Sequence, residues 1–130
     1  PKKVFEPCSG KGGFLIDIVN RFMIGLKRIK DPKERYRCIV EECLYFSDIS
    51  IVNIFINKLL IDPQNIYKLN YNVGDTLKLD TNSKWGLLGF DFIVGNPPYQ
   101  LKVGSQKSKP IWNLFFKAVI KILNHKGILH

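Results

Sequence analysis

Val4-Phe5-Glu6-Pro7-Cys8-Ser9-Gly10-Lys11-Gly12-Gly13-Phe14 holds the reading on which the fold turns. The apolar pair Val4-Phe5 stops at Glu6-Pro7, as a short buried strand does. Ser9 to Gly13 then reads as a turn. Beyond it Phe14, Leu15, Ile18, Val19, Phe22, Met23, Leu26 and Ile29 recur at helical spacing. Strand, glycine turn and helix in that order open a mononucleotide-binding unit. A phosphate loop of the Walker type requires Ser or Thr after its Gly-Lys, whereas Lys11 is followed by Gly12. That argues against nucleoside triphosphate hydrolysis.

Downstream the same alternation continues. Asp31-Pro32-Lys33-Glu34 carries a helix start, with Asp as cap, Pro in the first turn and Glu at the third position. Tyr36, Ile39, Val40 and Cys43 line one face of that helix. Leu44-Tyr45-Phe46 reads as a second strand ending in Ser47-Asp48, and Ile51, Ile54, Phe55, Lys58 and Leu59 as a helix closed before Asp62-Pro63. Ile66 to Leu69 is expected as a weak third strand, with Gly74-Asp75 turning after it. Phe90-Asp91-Phe92-Ile93-Val94 is the clearest strand, running into Gly95-Asn96-Pro97-Pro98-Tyr99. Gln100 to Lys109 lacks periodicity and reads as a mobile loop. Ile111 to Leu123 reads as an amphipathic helix, and Gly127 is expected to open the last strand. This pattern predicts an α/β fold: an open, mainly parallel sheet with helices on both faces.

The 130 residues are enough for one domain, and 45% hydrophobic content is enough for a core. No run of eighteen apolar residues occurs, so no membrane-spanning helix is expected. Cys8, Cys38 and Cys43 are an odd set without paired spacing, which indicates neither a disulfide framework nor a zinc site and fits a reducing, cytoplasmic setting. His125 and His130 cluster with no other ligand type, so no protein-bound metal is expected. The net charge of +9 points to a polyanionic partner. Codon bias competes as its source, because 16 Lys, 16 Ile and 10 Asn make up nearly a third of the chain against only 4 Arg. The chain opens on Pro1 and closes on a strand just beginning, so it is read as a catalytic-core fragment, residues 1–130, truncated at both ends.

In a doubly wound sheet ligands bind beyond the carboxyl ends of the strands. Those ends carry Glu6, Asp48 and Asp75, and a fourth carries Asn96-Pro97-Pro98-Tyr99. A carboxylate can take both hydroxyls of a ribose, another polar group can read a purine edge, and glycines admit close approach. Asp48 and Asp75 can equally serve as helix caps. Lys102, Lys107 and Lys109 can meet phosphate or only solvent.

Four stretches together carry a specific resemblance. Glu6-Pro7-Cys8-Ser9-Gly10-Lys11-Gly12-Gly13-Phe14 resembles motif I of the amino-methyltransferases, Asp/Glu-Pro-x-x-Gly-x-Gly-x-Phe, and Ile93-Val94-Gly95-Asn96-Pro97-Pro98-Tyr99 resembles their motif IV. Leu44 to Ser50 is similar to motif II, and Val73-Gly74-Asp75-Thr76-Leu77 to motif III. Motif I preceding motif IV, with a helical insertion after motif I, resembles the adenine-N6 DNA methyltransferases of type I and type IIG restriction–modification systems. The resemblance implies a Rossmann-like, class I S-adenosylmethionine-dependent methyltransferase fold. It implies that Glu6, Pro7, Cys8, Gly10 and Gly12 cradle the methionine part of S-adenosylmethionine. Asp48 would bind the ribose hydroxyls, Ile49 would lie against the adenine ring, and Asp75, with Thr76 beside it, would accept from the cofactor's amino group. Asn96 and the Pro97 carbonyl would grip the target amino group, Pro98 would stiffen the turn, and Tyr99 would stack on the flipped base.

The chemistry accounts for those residue types. An adenine amino nitrogen is a poor nucleophile because its lone pair is conjugated with the ring, and two acceptors drawing on its hydrogens favour a more tetrahedral nitrogen. Consecutive prolines remove two backbone donors, so only acceptors face the amino group. Extruding the base costs a few kcal/mol, and stacking on an aromatic face returns on the order of 1–3 kcal/mol. The implied partners are double-stranded DNA with the target adenine flipped out, and a specificity or restriction subunit or domain. Rival readings are methylation of a protein glutamine amide, methylation of guanine N2 in RNA, and a non-catalytic nucleic-acid-binding module. The upstream segment that completes the cofactor pocket, the last strands and a target-recognition region are expected to lie outside these residues.

Overall fold

β1 (Val4–Glu6) forms the middle of a five-stranded sheet in which every pairing is parallel. The computed structural model describes residues 1–96, 100–101, 109–110 and 112–130. On one side of β1 lie β2 (Leu44–Asp48) and then β3 (Asn70–Val73); on the other lie β4 (Phe90–Ile93) and then β5 (Leu123–Leu129). The order β3-β2-β1-β4-β5 reverses direction between β1 and β4, which makes the ends of those two strands the switch point where ligands collect.

Successive side chains of a strand face opposite sides, and the two buried clusters follow that rule. Val4, Leu44 and Phe46 face α1 (Gly13–Gly25), the π-helical turn Ile39–Cys43 that continues α2 (Pro32–Cys38), and α3 (Ile51–Ile61). Phe5, Tyr45 and Phe90 face the other way, toward α4 (Thr81–Trp85) and α5 (Trp112–Lys121). There Phe5 stacks on Phe90 with ring centres 4.9 Å apart, and Trp85 meets Tyr45 edge-on at 5.1 Å. Helices therefore cover both faces, as an all-parallel sheet requires. β4 presents Phe90 to one face and Phe92 to the other because a bulge intervenes. The Asp91 and Phe92 N–H groups both donate to the Lys3 carbonyl, and the register with β5 shifts between Phe90 and Phe92.

Several expected boundaries move. The third strand is not Ile66 to Leu69 but Asn70–Val73. The Asp62 carboxylate accepts from the Ile66 and Tyr67 N–H groups and so holds that stretch in a turn. The Asn70 side chain then donates to the Glu41 and Leu44 carbonyls and locks the strand onto β2. Gly127 lies inside the last strand, which begins at Leu123. α1 ends at Gly25, four residues before the last of its periodic apolar positions. Asp31 caps α2 by accepting from the Lys33 N–H, but Glu34 turns outward to Arg37 instead of closing a capping box. Gln100–Leu101 pairs antiparallel with Lys109–Pro110, so the two ends of the expected loop form a short ladder; its interior lies outside the described residues. Among the described residues no helix is long and apolar enough to cross a membrane.

Candidate active site

The glycine turn after β1 is fastened from two directions. The Ser9 N–H donates to the Ser47 carbonyl at 2.9 Å, and the Gly12 N–H donates back to the Ser9 carbonyl at 3.0 Å. Gly10 and Gly12 hold φ of +54° and +90°, a region side chains rarely adopt. Asp48, at the end of β2, completes the fastening. Its Oδ2 accepts from the Gly10 N–H at 2.8 Å, and its Oδ1 accepts from the Ser50 N–H at 2.8 Å and the Asn53 amide at 3.1 Å. Asp48 thus ties the turn to the start of α3, whose cap is Ser50. The next residue, Ile49, stands 77% exposed beside it.

Two residues of α3 that sequence reasoning missed support the same turn, Asn53 through Asp48 and Asn57 directly. Asn53 and Asn57 are one helical turn apart, which puts both on the face toward the turn. Asn57 is fully buried; its amide donates to the Ser9 hydroxyl at 2.7 Å, and its Oδ1 has no hydrogen-bond partner. A Cβ added at Gly12 would come within 2.5 Å of that oxygen. Asparagines in a largely apolar helix were the available signal, but apolar periodicity does not select them. Gly12→Ala should destabilise the protein by about 1–3 kcal/mol through backbone strain and by about 1–3 kcal/mol more through overpacking on Asn57. In urea unfolding, Gly12→Ala/Asn57→Ala should lose less than the sum of its single changes. Strict additivity would mean that Asn57 does not crowd this glycine.

Glu6 ends β1 fully buried, with neither carboxylate oxygen in a hydrogen bond among the described residues. Burial pushes its pKa up to about 8; the nearby Asp48 charge adds to the rise, while the Cys8 N–H, close but out of hydrogen-bond geometry, draws it down. Cys8 follows. Burial, then the Glu6, Asp48 and Asp75 carboxylates, push its thiol up to about 12. Cys8 should therefore react with iodoacetamide at pH 8 at least a hundredfold more slowly than a free cysteine, measured by peptide mass mapping; labelling at the free-thiol rate would contradict this environment. Asp75 caps the 3₁₀ turn Thr76–Lys78 by accepting from the Leu77 N–H at 3.0 Å, the capping role open to it from sequence. The Thr76 hydroxyl lies 2.6 Å from the Pro7 carbonyl, to which it donates, and 2.9 Å from the Ser47 hydroxyl, which joins β3's end to the glycine turn.

The end of β4 closes on the same place. The Val94 N–H donates to the Phe5 carbonyl at 3.0 Å, and a Cβ at Gly95 would stand 2.9 Å from Glu6 Oε1 and 3.1 Å from Pro7. Glycine at position 95 therefore lets β4's end lie against Glu6, and Asn96 follows it, exposed. Pro97, Pro98 and Tyr99 lie outside the described residues. Beside Gly95 opens a 210 Å³ cavity lined by Pro7, Ile93, Phe115, Phe116 and Leu129 among others. Trp85 packs against the core beside Tyr45, and the Trp112 side chain lies outside what the structure describes. Among the described residues no three His, Cys, Asp or Glu side chains gather to hold a metal ion.

The fold recurs in solved structures. The chain aligns with the M protein of the type I restriction enzyme EcoKI at a TM-score of 0.68 and 18% identity, covering 94% of this chain and 27% of that one. The modification subunit of a putative type I restriction enzyme from Vibrio vulnificus YJ016 aligns at 0.63 and 16%, covering 93% and 26%. A putative class I S-adenosylmethionine-dependent methyltransferase from Listeria monocytogenes aligns at 0.65 and 14%, covering 98% and 38%. The chain thus spans about a quarter of the length of the type I subunits it resembles. No curated protein matches it by sequence.

The sheet has the same fold as that class I S-adenosylmethionine-dependent methyltransferase, which makes S-adenosylmethionine the cofactor to test against the residues present. The residues present fit that molecule. A buried carboxyl without a partner suits a cationic ligand, the glycine turn leaves a cradle that a side chain at Gly12 would fill, and Ile49 offers an exposed apolar face for a purine. The model of the Eco57I restriction-modification methylase family matches residues 50–130, and the chain belongs to that family.

Proposed function

We propose that this chain is the catalytic core of an enzyme that methylates the exocyclic N6 amino group of adenine in double-stranded DNA, within a restriction–modification system. The observation that carries the reading is a meeting of two strand ends: Gly95 lies against Glu6, so the end of β4 that leads into Asn96 and the glycine turn after β1 share one edge of the sheet. A methyl donor held by the glycine turn then faces an amino group held beyond the end of β4.

In this reading Glu6, Pro7, Cys8, Gly10 and Gly12 hold the methionine part of S-adenosylmethionine. Asp48 meets the ribose hydroxyls with the one acceptor site that its three protein donors leave over, Ile49 covers the purine, and Asp75 and Thr76 border its amino edge. The cofactor supplies an electrophilic methyl group on a positively charged sulfur. Asn96 Oδ1 and the Pro97 carbonyl accept the two amino hydrogens of the target, and Pro98 keeps backbone donors out of the turn. Tyr99 stacks on the extruded base. The apolar hollow lined by Ile93, Phe115 and Phe116 supports a water-poor surrounding for that edge. The reading extends to a cytoplasmic setting, to an upstream segment, further strands and a target-recognition region beyond residues 1–130, and to a specificity or restriction subunit as partner.

The test supplies the full-length protein with methyl-labelled S-adenosylmethionine and offers duplex DNA, RNA and protein as acceptors. Label is expected in duplex DNA. Label confined to RNA or protein would overturn the DNA assignment, and no label in any acceptor would favour a non-catalytic module.

A further inference from the structure

Every described carboxylate at the site lacks a cation. Glu6, Asp48 and Asp75 stand at the ends of β1, β2 and β3, whereas the salt bridges among the described residues join Lys2 to Asp91 and Arg37 to Glu34, Glu41 and Glu42. This is a locally anionic edge on a chain of net charge +9. Within it Asp48 is satisfied by three donors and Asp75 by a cap, but Glu6 has none, although it is fully buried. A buried carboxylate without donor or counter-ion is costly, and a cationic group beside it relieves that cost only for as long as that group stays charged. Glu6 also faces β4: its Oε1 lies 2.9 Å from where a Gly95 Cβ would be, one residue before Asn96.

Methyl transfer removes one positive charge from the cofactor: the sulfonium of S-adenosylmethionine becomes the uncharged thioether of S-adenosylhomocysteine, while the α-ammonium and carboxylate of the amino-acid end are the same in both. We propose that Glu6 is a charge filter: its carboxylate, placed between the glycine turn and the end of β4 with no cation of the protein to pair with, favours the sulfonium cofactor over the thioether product. The filter rests on the cofactor reading above and assigns it a direction: the site prefers loading to product retention.

The preference must depend on pH, because only the ionised carboxyl distinguishes the two ligands. The titratable groups facing Glu6 are Cys8 on its own turn and Asp48 at the end of β2, both of which raise its pKa or are raised by it. β4 contributes the uncharged Gly95 and Asn96; beyond them His130 accepts from the Gly95 N–H through its carbonyl, and Lys11 is exposed on the turn. With Glu6 titrating at about 8 in the free protein, a sulfonium placed beside it near neutral pH displaces its proton, and the uncharged sulfur of the thioether displaces less.

Isothermal titration of the full-length protein with each of the two ligands tests this. At pH 9 the sulfonium should bind about tenfold or more tighter than the thioether, and at pH 6 the two should converge to within about threefold. Glu6→Gln keeps the buried shape without the charge and should hold the ratio near one at both pH values. In the unmodified protein, titrations at pH 7 in two buffers of different ionisation enthalpy should show more protons released by the sulfonium than by the thioether. This second measurement stands whether or not the variant folds. A ratio that does not change with pH, equal proton release, or an unchanged ratio in Glu6→Gln would overturn the filter. Binding of neither ligand would instead overturn the cofactor reading beneath it, and the filter with it.

Discussion

Asn96→Ala should lower the turnover number for methyl transfer by on the order of 10²–10³-fold, the loss seen when one positioned polar group at a reacting centre is removed. Affinity for S-adenosylmethionine should stay within about threefold of the parent, so kcat and kcat/KM should fall together. The reasoning is local. Asn96 follows Gly95 at the end of β4, while the turn, Asp48 and Ile49 that form the candidate cofactor cradle come from β1 and β2. An amide at that position can reach a planar NH2 group without supporting the cradle. Single-turnover kinetics and calorimetry on the full-length variant separate the two effects. Equal loss of cofactor binding and turnover would move Asn96 into the cofactor site and contradict the division of labour between the two turns.

Glu6→Gln should change stability by an amount that depends strongly on pH. In the unfolded chain the Glu6 carboxyl ionises near 4.5, whereas in the fold burial holds the proton until about 8. Between those values the native state binds more protons than the unfolded state, so this group makes the free protein less stable as pH rises through that window. The total effect is on the order of 2–5 kcal/mol. Glu6→Gln cannot ionise, so its urea midpoint should fall less between pH 5 and pH 8 than that of the parent, and at pH 8 it should be the more stable of the two. Parallel curves would mean that Glu6 is solvated or paired in the native state.

Much of this architecture was legible because the decisive stretches are governed by local rules. The glycine turn follows from backbone freedom at Gly10 and Gly12, β4 from an apolar run ended by Gly-Asn-Pro, and α2 from the Asp31 cap. What escaped was set by side chains acting across the sequence. β3 is a polar strand, Asn70-Tyr71-Asn72, fixed by the Asn70 amide on β2 and by Asp62 holding the preceding residues in a turn, so apolar pattern placed it four residues early. The early start of β5 depends on pairing with the bulged β4. At the site, Glu6, Asp48 and Asp75 were found from their places at strand ends, but the use of Asp48 as the lashing between turn and α3 was not. That role depends on Gly10 and Asn53 being brought to it by the fold. Asn57 was invisible for the same reason: its importance lies in burial against Ser9 and Gly12, which only packing creates.

The account rests on a grip on a planar amino group of adenine, and the most direct measurement is the identity of the methylated nucleoside. Duplex DNA incubated with the full-length protein and S-adenosylmethionine, digested to nucleosides and resolved by mass spectrometry, should yield N6-methyl-2′-deoxyadenosine as the sole new species. Methylation on a cytosine ring carbon, where there is no amino group for Asn96 and its proline neighbour to hold, would contradict it.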